Sequence, residues 1–186
     1  MLKSILLILA GVILALLVRW LLAQFYSFNA QKPEDYQGQG PTFDIARDLN
    51  GHMDAYGLVF DYKGRVNARF TARMTGQWTG TKGVLSENFK YDSGRTQLRE
   101  WTIEMGEGGN FTATAPDIIG AAEGRQIGNA ARLKYRIVLP DDAGGYTLDV
   151  VDWMYLVEGG TILNKSEFRM FGIKVGSLFA TFRKVE

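Results

Sequence analysis

Val66-Asn67-Ala68-Arg69-Phe70-Thr71-Ala72-Arg73-Met74 alternates apolar and polar residues without a break. Period two marks a half-buried strand, because successive side chains point to opposite faces of a sheet. Val66, Ala68, Phe70, Ala72 and Met74 therefore share one face, and Arg65, Asn67, Arg69, Thr71 and Arg73 the other. The arginine stripe reads as a solvated face, or as one resting against anionic lipid head groups.

The same signal extends outward in both directions. Upstream, Tyr56, Leu58, Phe60 and Tyr62 share a face, and Asp61, Lys63 and Gly64 mark a turn. Downstream, strands are predicted over residues 84–91, 95–105, 110–115, 131–139, 146–157, 161–171 and 173–185, the third and fourth flanking a Gly-rich stretch. Asp92-Ser93-Gly94 and Glu158-Gly159-Gly160 are among the turns between them. Eight to ten strands in series, with no long helical pattern between them, exclude βαβ units. They predict an all-β, antiparallel up-and-down barrel, with a sandwich as the alternative. Asp44 is placed to cap a short helix before the first strand, and Gly51 to end it.

From Ile5 to Ala23 the only charge is Arg19. At about 1.5 Å per residue this stretch approaches the roughly 30 Å hydrocarbon thickness of a bilayer. Lys3 precedes it, and Trp20, Phe25 and Tyr26 follow as an interfacial aromatic belt. The positive-inside tendency puts the N-terminus in the cytoplasm and residues from Pro33 onward across the membrane. Cleavage needs a small-x-small pattern, and Leu21-Leu22-Ala23 and Phe28-Asn29-Ala30 each begin with a bulky residue. The chain thus divides into a signal anchor over residues 1–26, a linker over 27–42 carrying Pro33 and Pro41, and a barrel over 43–186.

Composition narrows the function classes. Net charge is +1, so no nucleic-acid partner is implied. There is no cysteine, which excludes disulfides, thiolate metal sites, a cysteine nucleophile and lipoprotein acylation. The single histidine, His52, sits beside a turn with no G-x-S-x-G motif anywhere, so no serine triad is expected. No metal site and no cofactor are expected, and no protein partner is indicated.

The apolar rows of the strands contain polar exceptions. Glu87 shares a row with Leu85, Phe89 and Tyr91. Asp152 falls on the row of Leu148, Val150 and Met154, and Asn164 and Ser166 on that of Ile162, Phe168 and Met170. A carboxylate in such a cavity has a raised pKa unless it is paired. With Arg99 or Arg169 as counter-ion, these four side chains form either a polar spot for a ligand head group or a satisfied network between strands. A third reading is an acid/base pair of Glu87 and Asp152. Trp101, Tyr135, Trp153 and Phe168 are the expected apolar wall; as large aromatics they also suit plain core packing.

Gly76-x-Trp78-x-Gly80, Leu85-x-Glu87-x-Phe89-x-Tyr91-Asp92-x-Gly94, Arg99-x-Trp101, Asp117-Ile-Ile-Gly120, Gly128-Asn129-Ala130, Leu133-x-Tyr135, Asp152-Trp153-Met154-Tyr155, Asn164-x-Ser166-Glu167 and Phe171-Gly172 occur in this order. The ordered set, from about Phe43 to Lys184, resembles a bacterial envelope family, domain of unknown function 3833. The resemblance implies a lipocalin-like (calycin-type) barrel in the bacterial envelope and a lipid or other apolar ligand; with the apolar anchor, the expected location is the bacterial inner membrane with the barrel in the periplasm. Many members carry a lipobox cysteine. This chain has none and carries an apolar helix in its place. The expected function is a membrane-anchored barrel binding an apolar small molecule. The alternatives are a scaffold module with a filled core and, third, an acid/base enzyme acting on a lipid.

Overall fold

The computed structural model describes residues 2–185. Helix α1 (Leu2–Phe25) is apolar around its whole circumference, and Leu2–Leu22 is long and apolar enough to span a bilayer. A short segment leads to α2 (Ile45–Asp48), where the Asp44 carboxylate accepts from the Ala46 and Arg47 amides at 3.0 and 3.2 Å. Ten strands follow: β1 (Gly51–Phe60), β2 (Val66–Thr79), β3 (Lys82–Tyr91), β4 (Thr96–Met105), β5 (Asn110–Thr114), β6 (Ala122–Ile127), β7 (Ala130–Val138), β8 (Thr147–Leu156), β9 (Ile162–Met170) and β10 (Ile173–Lys184). Each pairs antiparallel with its neighbours in sequence, and β1 pairs with β10 to close the barrel. Closure removes both sheet edges, which is the physical reason serial hairpins end in a barrel.

The two ends differ. At one end α2 is a plug: Ile45 and Leu49, one helical turn apart, are almost fully buried together with Phe43. The other end, formed by the turns around residues 61–65, 92–95, 139–146 and 171–172, carries no such plug and is the mouth.

Two local features escape the sequence pattern. β6 lies inside the Gly-rich stretch. Its Gly124 stands opposite Phe111, and a Cβ there would fall 2.2 Å from the ring. Glycine is required so that the aromatic ring can cover the strand backbone, although glycine weakens the strand signal. In β1 the inward row is Met53, Ala55, Gly57 and Val59, while Tyr56 is exposed. The β1–β2 register slips between Val59 and Phe60, and this bulge turns Phe60 and Tyr62 back toward the mouth.

Residues 28–43 lie along the outer wall rather than forming a free spacer. Gln31 Oε1 accepts from the hydroxyls of Tyr36 (2.5 Å) and Tyr155 (3.0 Å). Glu34 pairs with Arg125 at 2.8 Å, and the Phe43 amide donates to Gly128 O at 2.8 Å.

Candidate functional site

Inside the barrel is a cavity of about 650 Å³, floored by Ile45 and Leu49 and reaching the mouth at Tyr62 and Tyr146. Most of its wall is apolar. Apart from Asp61, Asn67, Arg95 and Gln97, its polar groups gather in two places.

On β3 and β4, Glu87 stands opposite Arg99. Arg99 Nε and Nη2 both donate to Asp117 Oδ2, at 2.9 and 2.5 Å. Asp117 lies between β5 and β6, where the Val138 amide donates to its carbonyl at 2.8 Å. The Arg99 guanidinium sits 5.7 Å from the Trp101 ring, which meets Tyr135 edge-on at 5.3 Å.

Across the cavity, on β8 and β9, Asp152 stands opposite Ser166. Asp152 Oδ1 accepts from Ser166 Oγ at 2.8 Å and from Asn164 Nδ2 at 2.5 Å. The same Asn164 amide donates to the Trp153 carbonyl at 3.1 Å.

Glu87, Asp117, Asp152 and Arg99 thus share the deeper part of the cavity, with Asp61 and Arg95 lining it as well. Burial pushes Glu87 up to about 7; Asp152 and Asp117 push the same way, while Arg99 and the Trp101 indole oppose. Burial also raises Asp152, against the hydrogen bonds from Ser166 and Asn164. Burial raises Tyr135 as well, so its phenol stays neutral and can donate. Arg99 keeps its charge: burial opposes it, but Tyr135, Glu87 and Asp117 outweigh that cost.

A measurable pH dependence follows. The folded-state pKa of Glu87 lies above its ordinary value of 4.5. Its contribution to stability is therefore full below that value and lost as pH rises toward about 7. Asp152 adds in the same direction. Glu87→Gln should flatten the pH dependence of urea-unfolding stability across this window by about 3 kcal/mol. An unchanged slope would show that Glu87 titrates normally.

Of the residues singled out from sequence, Glu87, Trp101, Tyr135, Asp152, Asn164, Ser166 and Phe168 line the cavity. Trp153 does not, and this corrects the expectation that it supplies apolar wall. It points outward and is 0% exposed, packed beneath Tyr36 at 5.2 Å and stacked on Tyr155 at 5.8 Å. Arg169 is likewise not the internal counter-ion; it pairs with Glu167 at 2.6 Å. Asp117 was not singled out as a site residue, because a loop position after Pro116 carries no periodicity. His52 is exposed, with Nδ1 3.1 Å from Thr75 Oγ1. Among the described residues no cluster of His, Cys, Asp or Glu is arranged to hold a metal ion.

The family model described as "Protein of unknown function (DUF3833)" matches residues 22–184. The chain belongs to the DUF3833 family. No curated protein matches it. Among solved structures it is similar to a protein of unknown function from the DUF3598 family of Nostoc punctiforme, with TM-score 0.55 and 13% identity. That match covers 79% of this DUF3833 chain and 51% of the Nostoc protein, so the chain spans about half the length of that neighbour. The YwiB protein from Bacillus subtilis matches at TM-score 0.28 and 13% identity, over 73% of this chain and 91% of that one. The first likeness supports the barrel fold and says nothing of a ligand.

Proposed function

We propose that this protein is a single-pass, membrane-anchored barrel that binds a lipid or other apolar small molecule inside its cavity. The observation that carries the reading is the space itself: about 650 Å³, within the range of small-molecule sites, with a few convergent polar groups in an apolar wall. A filled-core scaffold would leave no such volume. In a bacterium, α1 would sit in the inner membrane and, by the positive-inside tendency, the barrel in the periplasm.

The polar groups favour one kind of head group. Arg99 is already held by Asp117, and Glu87 and Asp152 add further acid. At the depth of Glu87 and Asp152 a free carboxylate would meet two carboxyls and a guanidinium already held by Asp117, while the second cavity arginine, Arg95, lies over the Tyr91 ring at 4.5 Å. A hydroxyl or amide can donate to the carboxyls and accept from Tyr135. Binding rather than turnover is favoured because Asp152 Oδ1 is already taken by two donors.

Delipidated protein should quench its tryptophan fluorescence when titrated with a long-chain alcohol or monoacylglycerol, and much less with the matching fatty acid. Trp101→Phe should remove most of the signal. Leu133→Trp, which fills the space, should abolish binding while costing about 1–3 kcal/mol of stability. The reading fails if native mass spectrometry and titration find no apolar ligand.

A further inference from the structure

The exposed large hydrophobic side chains in the barrel's turns are not evenly distributed. At the mouth, Phe171 is 92% exposed, Tyr62 68% and Tyr146 57%, and Ile173 beside them is 69% exposed. At the plugged end, the turns at Gly80-Thr81, Gly106–Gly109 and Glu158–Gly160 hold no exposed large hydrophobic among the described residues. Water disfavours such a rim, and monomeric soluble domains seldom carry one without a partner for it.

Just past α1 the chain meets the middle of β9 and is linked from there to this rim. Phe28, three residues past α1, lies under the Lys165 ammonium of β9 at 4.7 Å. With the Asn29 amide turned so that its oxygen faces the guanidinium, Asn29 accepts from Arg169, near the last residue of β9. Arg169 Nη1 in turn donates to Gly172 O at 2.9 Å, in the hairpin that carries Phe171 and Ile173. The base of the anchor and the rim hairpin are therefore joined through one guanidinium. The Gln31–Tyr36–Tyr155 contacts fix the following segment to the wall, so little slack separates the two.

We propose that the mouth of the barrel docks on the bilayer that holds α1. Phe171, Ile173, Tyr62 and Tyr146 would enter the interfacial layer, and the cavity would open toward lipid rather than water. Aromatic side chains with a polar tip favour that layer. An apolar ligand could then pass between bilayer and cavity without crossing bulk water. The inference rests on the membrane-anchor half of the reading above and does not require that the cavity be occupied.

The chain has no cysteine, so single cysteines can be placed freely. The full chain is reconstituted in phospholipid nanodiscs containing a lipid with a doxyl quencher on its acyl chain. A fluorophore is attached in turn to Phe171→Cys at the mouth, Glu158→Cys at the plugged end and Leu9→Cys in the anchor. Tyr62→Cys repeats the rim measurement on a separate turn. Quenching at positions 171 and 62 is expected to be several-fold stronger than at 158 and to approach that at 9. Strong quenching at 9 with equal, weak quenching at 171, 62 and 158 overturns the docking and leaves the anchor standing. No quenching at 9 overturns both. Ligand titration tests the cavity separately, so its failure is not confused with either.

Discussion

Replacing Arg99 with methionine is expected to destabilise the barrel by about 3–5 kcal/mol near neutral pH, because it removes one partner of a buried pair. The guanidinium donates twice to Asp117 Oδ2 and stands beside Glu87. Without it, these carboxyls lose the charge that offsets their desolvation, and Asp117 already has one buried oxygen with no partner. The loss should depend on pH. Arg99 pulls the Glu87 carboxyl down against burial. In its absence Glu87 titrates higher still, so the deficit grows as pH rises and shrinks in mild acid. Urea unfolding of wild type and variant at about pH 5 and about pH 8 reads both effects. The decisive control is Arg99→Met with Asp117→Leu. Replacing both members of a buried pair by apolar groups is often nearly neutral, so the double variant should recover most of the stability. If it is as unstable as the single variant, Arg99 acts through packing and not through charge.

The strands were legible wherever alternation was undiluted. β2 reads correctly from Ala68 to Met74, with Ala68, Phe70, Ala72 and Met74 inward and a polar outward row, but the bulge facing its first residues leaves Val66 46% exposed and brings Asn67 to the cavity instead. β1 is the harder case. Its inward row is small, its outward row holds Tyr56 and Leu58, and a bulge reverses the phase at Phe60. β6 hides because the residue that admits the Phe111 ring must be glycine. The polar interior was legible by parity alone: Glu87, Asp152, Asn164 and Ser166 fall on apolar rows and do face the cavity. Asp117 could not be found that way, since it reaches the cavity from a loop. Trp153 was open to parity. An inward Asp152 requires an outward Trp153, but size suggested wall, and nothing in the composition of residues 27–42 shows that they cover it.

That covering changes what the N-terminal segment does. A free linker would let the barrel turn in any direction above the membrane. A segment fixed by Glu34–Arg125, Tyr36–Tyr155 and Phe43–Gly128 contacts sets which wall faces the anchor. If α1 spans a bilayer, as proposed, the orientation of the cavity relative to it would be a property of the fold, and the side chains under the segment would be orienting residues.

Trp153→Ala is expected to cost about 3–5 kcal/mol, the range for truncating a large buried aromatic, although Trp153 touches no part of the cavity. Its indole is the surface on which Tyr36 lies and against which Tyr155 stacks with rings 5° from parallel. Removing it leaves a void between β8 and the covering segment, and the Arg132 guanidinium 5.8 Å from the ring loses its aromatic partner. The segment should then lift. Limited proteolysis within residues 27–42 should accelerate by an order of magnitude or more, while ligand affinity of the folded fraction stays unchanged. Trp153→Phe separates packing from hydrogen bonding. The Trp153 Nε1 is buried without an acceptor, so its N–H carries a desolvation cost that phenylalanine removes. A phenyl ring keeps most of the stacking area, and this variant should lose far less stability than the alanine one. Were the two equally damaging, the indole N–H would have a partner and the clasp would be polar rather than aromatic. Were Trp153→Ala to abolish ligand binding with stability intact, the ring would belong to the cavity after all.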